Sequence, residues 1–270
     1  MNRSILFAML SVLILTSCSK IATLENTPRL LNEAEEAIAY FEKKYDVKID
    51  PNQDWNSTVS GQVKIPKNKA IEVERVSEAE AYTMCFEDHP QTADYDMNDI
   101  VLRTTRLSED KIQLSIIACG AHDALVLGGI QGTEEKSFNG KEVHELFGYQ
   151  YGQKVFINTE KNAAYKEPVT EIVTVEKNLR MDDFLKSIYI ENRTTGQTIK
   201  MPQKGEAPHA IIVPTSFRYP LEKKSITDAY PDLLTWAVNM NKNKFWYLYW
   251  IDELVYPNKF SDQNLKLTCS

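Results

Sequence analysis

The 270-residue chain has only 4 Cys, 10 Gly and 11 Pro, too few for a disulfide-stapled scaffold, a collagen-like repeat or a low-complexity tail. It also lacks an excess of cations. Against 38 Asp and Glu stand 31 Lys and Arg, a formal charge of -7, so little is available to neutralise a phosphate backbone and no nucleic-acid partner is expected. No apolar run reaches the roughly 20 residues of a membrane-spanning helix. Ile5 to Leu15 is eleven residues long and Phe245 to Trp250 six. With 43% hydrophobic and 26% charged residues, the chain can bury a substantial core in one large domain.

The amino-terminal stretch carries an address. Arg3, the apolar run and then Leu15-Thr16-Ser17-Cys18 resemble a bacterial lipoprotein signal peptide, in which small residues precede the cysteine at the cleavage site. The resemblance implies that Cys18 is acylated and that the mature protein is anchored to a membrane without spanning it. Its place would be the envelope of a Gram-negative bacterium, at the outer membrane or cell surface. Each buried CH₂ contributes about 0.8 kcal/mol, so several acyl chains hold where one is marginal. Thiols outside the cytoplasm tend to oxidise. Cys85 and Cys119 lie in alternating apolar segments and are candidates either for a disulfide or for two buried free thiols; Cys269 is next to the carboxyl terminus.

Five segments follow: residues 1–17 as signal peptide, 18–27 as lipidated tether, 28–49 as an N-terminal helix, 50–256 as a β domain and 257–270 as a tail. Thr27-Pro28 opens the helix, with Leu30, Leu31, Ala34, Ile38, Phe41 and Tyr45 at three- and four-residue spacing, acids early and Lys43 and Lys44 late. Strands are predicted at Val59 to Ile65, Ala70 to Val76, Ala81 to Phe86, Ile100 to Leu107, Lys111 to Ala118, Lys154 to Ile157, Val169 to Val175, Leu185 to Ile190 and His209 to Val213. Many short strands without alternating helices predict a mainly β fold. We expect an antiparallel, jelly-roll-like β-sandwich with the N-terminal and C-terminal helices at its periphery. The second helix is predicted from Ile226, Tyr230, Leu233, Leu234, Ala237 and Met240, with Pro231 in its first turn or just before it. The run Phe245 to Trp250 reads as a strand buried on both faces, or as Trp246, Tyr247, Tyr249 and Trp250 offered for stacking on a sugar ring.

The densest polar feature lies between two predicted strands. Glu87, Asp88, Asp94, Asp96 and Asp99 place five carboxylates, with the Asn98 amide, inside thirteen residues, and no Lys or Arg falls between Glu87 and Leu102. Such crowding is costly unless a cation answers it, and Ca²⁺ takes six to eight oxygen ligands from just such a loop. Asp94, Asp96 and Asn98 match the first three ligand positions of an EF-hand, but Asp99 replaces the glycine at six and Thr105 the glutamate at twelve, so an EF-hand is excluded. The competing readings are a solvated loop of Asx turns, and a glycosidase acid/base pair that includes Glu87.

The run FEDHPQTADYDMNDIVL, Phe86 to Leu102, resembles the signature of the LruC-type domain of bacterial surface lipoproteins: an aromatic, Glu-Asp, then Gly-Asp-Tyr-Asp-Phe-Asn-Asp and two aliphatics. Asp50 to Asn56, Ala118-Cys119-Gly120-Ala121 and His209 to Ala237 resemble other segments of that family, together covering about residues 50–256. Ala93, Met97 and His89 depart from the pattern without removing an oxygen donor. The resemblance implies a β-rich lipoprotein domain with no established activity. It makes Glu87, Asp88, Asp94, Asp96, Asn98 and Asp99 the candidate metal ligands. In extended chain Asp94, Asp96 and Asn98 would converge while Asp99 turns away to hold the backbone.

Other motifs fail. His89, His122, His144 and His209 have no zinc-site spacing, and His122-Asp123 has no nucleophile elbow to serve. No catalytic residue is expected. The sequence therefore predicts a lipid-anchored binding or adhesion module with a calcium-stabilised loop and a glycan or surface protein as ligand. The alternatives are a glycan hydrolase using the loop carboxylates and a fimbrial or envelope subunit.

Overall fold

The structure, a computed structural model, describes residues 28–57, 81–133, 138–214 and 217–257. The expected signal peptide, Cys18, Cys269 and the two strands expected between Val59 and Val76 lie outside the described residues. Among those described, no helix is long and apolar enough to cross a membrane.

The fold is mainly β, an antiparallel sandwich of two sheets with helices. Strands β1 (Ala81–Phe86), β2 (Ile100–Ser108), β3 (Lys111–Ala118), β5 (Val169–Thr174) and β8 (Ala210–Pro214) form the larger sheet, in the order β5-β3-β2-β1-β8. Strands β4 (Leu125–Gly128), β6 (Tyr189–Asn192) and β7 (Gln197–Ile199) form the smaller, in the order β4-β6-β7. Every ladder between these named strands is antiparallel, and Asn56 adds one isolated parallel bridge to Ile212.

Alternation along the central strands loads both faces of the larger sheet. Met84, Phe86, Ile100, Leu102, Leu114, Ile116 and Ile212 face the smaller sheet, sharing one core with Leu125, Leu127, Ile190 and Ile199. That core also takes Val143 from the short helix α2 (Val143–Leu146) and Phe184 and Leu185 from α3 (Met181–Ser187). Cys85, Val101, Ile117, Ile211 and Val213 face the other way, into a second core built with Phe41 of α1 (Pro28–Tyr45) and with the carboxyl-terminal segment. Both helical regions thus contribute to the core. Burying an apolar side chain contributes roughly 1.5–3 kcal/mol, which explains why strands covered on both faces tolerate so few polar positions.

Several expectations are corrected. Leu185 to Ile190 is not one strand: α3 runs to Ser187 and β6 begins at Tyr189. Lys154 to Ile157 makes only an isolated bridge, Cys119 to Ile157. The second helix is divided into α4 (Ile226–Ala229) and α5 (Leu233–Val238), with Pro231 between them, where a residue without an N–H cannot continue the ladder. Phe245 to Trp250 is not a strand; Trp246–Leu248 forms a 3-10 turn. Trp246 and Tyr247 are buried, and the Trp246 ring lies 5.3 Å from that of Tyr230 and 5.7 Å from that of Trp236, so neither is free to stack on a sugar. Tyr249 is exposed, while the Trp250 ring is covered by the Arg218 guanidinium at 4.8 Å. Cys85 and Cys119 are free thiols, and no disulfide joins them. They belong to the two separate cores on opposite faces of the sheet.

Candidate metal centre

Residues 87–99 close the β1–β2 hairpin, whose last rung pairs Phe86 with Ile100. The loop folds back on its first residue. Glu87 is buried, and its two carboxyl oxygens accept the backbone N–H groups of Met97 at 2.5 Å and Tyr95 at 3.2 Å. Tyr95 and Met97 adopt left-handed backbone, φ 63° and 54°, a conformation that costs a bulky non-glycine residue of order 1–3 kcal/mol. Buried side chains hold them there. The Tyr95 ring meets Phe41 at 5.1 Å and Tyr45 at 5.7 Å, both on α1, and Met97 is wholly enclosed in the same core.

Three neighbours fix the loop from outside. The ammonium of Lys44, on α1, donates to the carbonyls of Ala93 at 3.2 Å and Asp94 at 3.1 Å and sits 5.1 Å from the centre of the Tyr95 ring. This positive charge, absent from the loop itself, therefore goes to backbone oxygens. Backbone N–H groups of the carboxyl-terminal segment donate inward, Lys223 to the Asp96 carboxylate at 2.7 Å and Ile226 to the Tyr95 carbonyl at 2.6 Å. From the end of β3, Gly120 donates to the Asn98 carbonyl at 2.8 Å.

Within this frame, ligand oxygens of Glu87, Asp94 and Asp96 lie within 4.8 Å of one another. Asp94 is exposed, so the group has one face toward solvent. Among the candidate ligands, two buried oxygens have no hydrogen-bond partner: Oδ1 of Asp96, a residue 2% exposed, and Oδ1 of Asn98, a residue fully enclosed. A buried acceptor left unmatched costs about 1–3 kcal/mol, so two in adjacent alternate positions call for a ligand. The electrostatics agree. Burial, followed by the Asp96 and Asp94 charges, raises the Glu87 carboxyl well above its usual range. Asp96 is pushed up to about 8 by burial and then by Asp94. Yet both Glu87 oxygens take N–H donors, the pattern of an ionised carboxylate, and protonating either would set O–H against N–H. A cation among these oxygens removes the conflict. All the donors are hard oxygens, with no imidazole or thiolate among them, which fits Ca²⁺ better than Zn²⁺.

The remaining two candidate ligands stand apart from this group. Asp99 accepts the Asp88 N–H at 2.8 Å and so holds the backbone. Asp88 lies with His89 and Asp123, where His89 Nε2 is 3.0 Å from Asp123 Oδ2. Asn192 of β6 donates to that same oxygen at 2.8 Å and to the Asp88 carbonyl at 3.3 Å, so this second cluster is a hydrogen-bonded tie between the loop and the smaller sheet. Burial raises the carboxyls of both Asp88 and Asp99.

Sequence reasoning missed two constellations. Glu222 stands beside Gly120, outside the group of three, with its carboxyl raised to about 7 by burial and then by the Asp94 charge. Cys119, His144 and Glu142 form a sealed line in the core, with Sγ 3.7 Å from Nε2 and Nδ1 2.7 Å from the carboxylate. The His144 Nε2 also meets the Val155 carbonyl at 3.2 Å, and all three residues are buried, so no substrate reaches the thiol. Only pairing of residues distant in sequence with the α2 turn would have revealed it.

Residues 191–247 match a family described as a domain of unknown function, DUF4842. The match runs from the end of β6 past α5 and includes Glu222 but not the acidic loop. No curated protein matches the chain. Among solved structures, the chain is similar to that of a "putative lipoprotein" from Bacteroides ovatus, at 14% identity over 72% of this chain and 80% of that one, with a TM-score of 0.44.

Proposed function

We propose that the protein is a lipid-anchored binding module of the bacterial envelope whose β1–β2 loop holds one Ca²⁺ through Glu87, Asp94, Asp96 and Asn98. The observation that carries the metal reading is the pair of buried, unmatched oxygens on Asp96 and Asn98 beside two further carboxylates. The lipoprotein-like sequence around Cys18 supports the anchor, and the LruC-like signature supports a surface role with a glycan or protein as ligand. Nothing in the geometry favours the hydrolase alternative. Glu87 is buried with both oxygens engaged by the backbone, and so is a poor proton donor to a sugar.

Extracellular calcium modules bind at about 10⁻⁴ to 10⁻³ M, and a tenfold excess over Kd adds about 1.4 kcal/mol. The ion therefore orders a loop on a fold that stands without it. Thermal melts of the purified protein in calcium and in chelator test this reading. We expect a higher midpoint with calcium, and none of that gain in Asp96→Asn. Equal wild-type midpoints at millimolar calcium would overturn it.

A further inference from the structure

The carboxyl-terminal segment meets the loop at one more oxygen. Residues 220–226 cross the loop with their backbone: Pro220 accepts from the Asn98 amide at 3.3 Å, Lys223 donates to Asp96, and Ile226 donates to Tyr95. Lys223 takes left-handed backbone, φ 61°, so its N–H points at Asp96. The preceding side chain, Glu222, is oriented separately. Its N–H donates to the Thr159 carbonyl at 3.0 Å, and the Thr159 hydroxyl donates to its Oε2 at 3.3 Å.

That Oε2 converges with the unmatched oxygen of Asn98 over Gly120. A β-carbon at Gly120 would stand 1.9 Å from Asn98 Oδ1 and 3.0 Å from Glu222 Oε2. The absence of a side chain is what leaves room for two acceptor oxygens to face the same small space. Neither is a donor to the other. The oxygen of Asn98 is fully buried and without a partner, which points to a cation in the space and not to water-exposed repulsion.

Resting on the calcium reading above, we propose that Glu222 is a further ligand of the same ion, so that the cation staples the carboxyl-terminal segment to the β1–β2 loop. Glu222 supplies an oxygen from a region far off in sequence, as a hard cation needing six to eight donors requires. The ion then joins two elements, the loop and the segment leading into α4, with Gly120 leaving the space between them open.

Calorimetric titration of the full-length protein in detergent with CaCl₂ alone tests this, with Asp96→Asn, Glu222→Gln, Glu222→Asp and Glu160→Gln beside wild type. Glu222→Asp keeps the charge but withdraws the oxygen. Glu160→Gln removes an exposed neighbouring charge that is outside the proposed ligand set. Both Glu222 variants should weaken calcium about tenfold or more, the scale seen when support of a metal is lost, while Glu160→Gln changes affinity less than about twofold. All variants should melt like wild type in chelator to within a few degrees. Wild-type affinity in Glu222→Asp or Glu222→Gln, with binding lost in Asp96→Asn, would overturn the role of Glu222 and leave the loop site standing. No binding by wild type at millimolar calcium would overturn the calcium reading and this staple with it.

Discussion

Glu87 reaches across its own loop to accept the backbone N–H of Met97 at 2.5 Å, so the first residue after β1 fixes the left-handed backbone in which Asp96 is presented. A glutamine at position 87 can accept from only one of the two N–H groups now bound, because its amide nitrogen would oppose the other. Glu87→Gln should destabilise the protein by about 1–3 kcal/mol in denaturant unfolding and weaken calcium as well. An unchanged midpoint would show that the loop is held without Glu87.

A second prediction concerns the sealed pair behind Cys119. His144 Nε2 lies 3.2 Å from the Val155 carbonyl and Nδ1 2.7 Å from the Glu142 carboxylate, so both ring nitrogens face acceptors inside the core. Although burial opposes its charge, the hydrogen bond and charge of His144 hold the Glu142 carboxyl below its usual range. Its contribution is therefore present at neutral pH and is lost as pH falls below the ordinary value of 4.5. Glu142→Gln should cost about 1–3 kcal/mol at pH 7, because its amide nitrogen cannot accept from both His144 and the Glu145 N–H and so leaves a buried group unmatched. Urea unfolding at pH 7 and pH 4 checks both the size and the direction.

His209 provides a third. Burial lowers its imidazole from 6.5 to about 4, Nε2 donates to the Lys200 carbonyl at 3.0 Å, and Nδ1 is buried without a donor. Between those pH values the unfolded chain takes up a proton that the folded protein refuses, so this group lowers stability as pH drops from 6.5 toward 4. The carboxylates of the loop have raised values and act in the opposite sense without calcium. The informative quantity is thus the difference between wild type and His209→Gln, which should narrow or reverse in favour of the variant across that window. A constant difference would contradict the shift.

The sequence announced β1, β2, β3, β5 and β8 because each is an alternating or β-branched run, buried on both faces in the central strands and on one face in the edge strand β5. It misled at Leu185 to Ile190, where a short apolar run reads equally as strand or buried helix. The overlooked signals were Asp182 and Asp183 in the first turn and Lys186 in the last. It hid β4, because a strand of four residues ending on a glycine offers little alternation to read. In the structure Gly128 is a strand residue that makes room for the Tyr189 ring, whose Cζ would be 2.4 Å from a β-carbon there.

At the candidate site, the alternate positions Asp94, Asp96 and Asn98 were legible as donors, and Glu87 as their neighbour. The contribution of the carboxyl-terminal segment was not. Lys223 and Asp96 are 127 residues apart, and only tertiary packing places them together. Lys44 was invisible for the same reason: nothing local tells that a helix lysine caps the carbonyls of Ala93 and Asp94.

The most direct measurement is diffraction from crystals of the protein soaked in a lanthanide, which substitutes for Ca²⁺ and scatters anomalously. The account predicts one strong peak among the side-chain oxygens of Glu87, Asp94, Asp96 and Asn98, at distances of about 2.3–2.6 Å. Density showing the Asp96 and Asn98 oxygens satisfied by ordered waters, with the anomalous signal confined to other surface carboxylates, would contradict it.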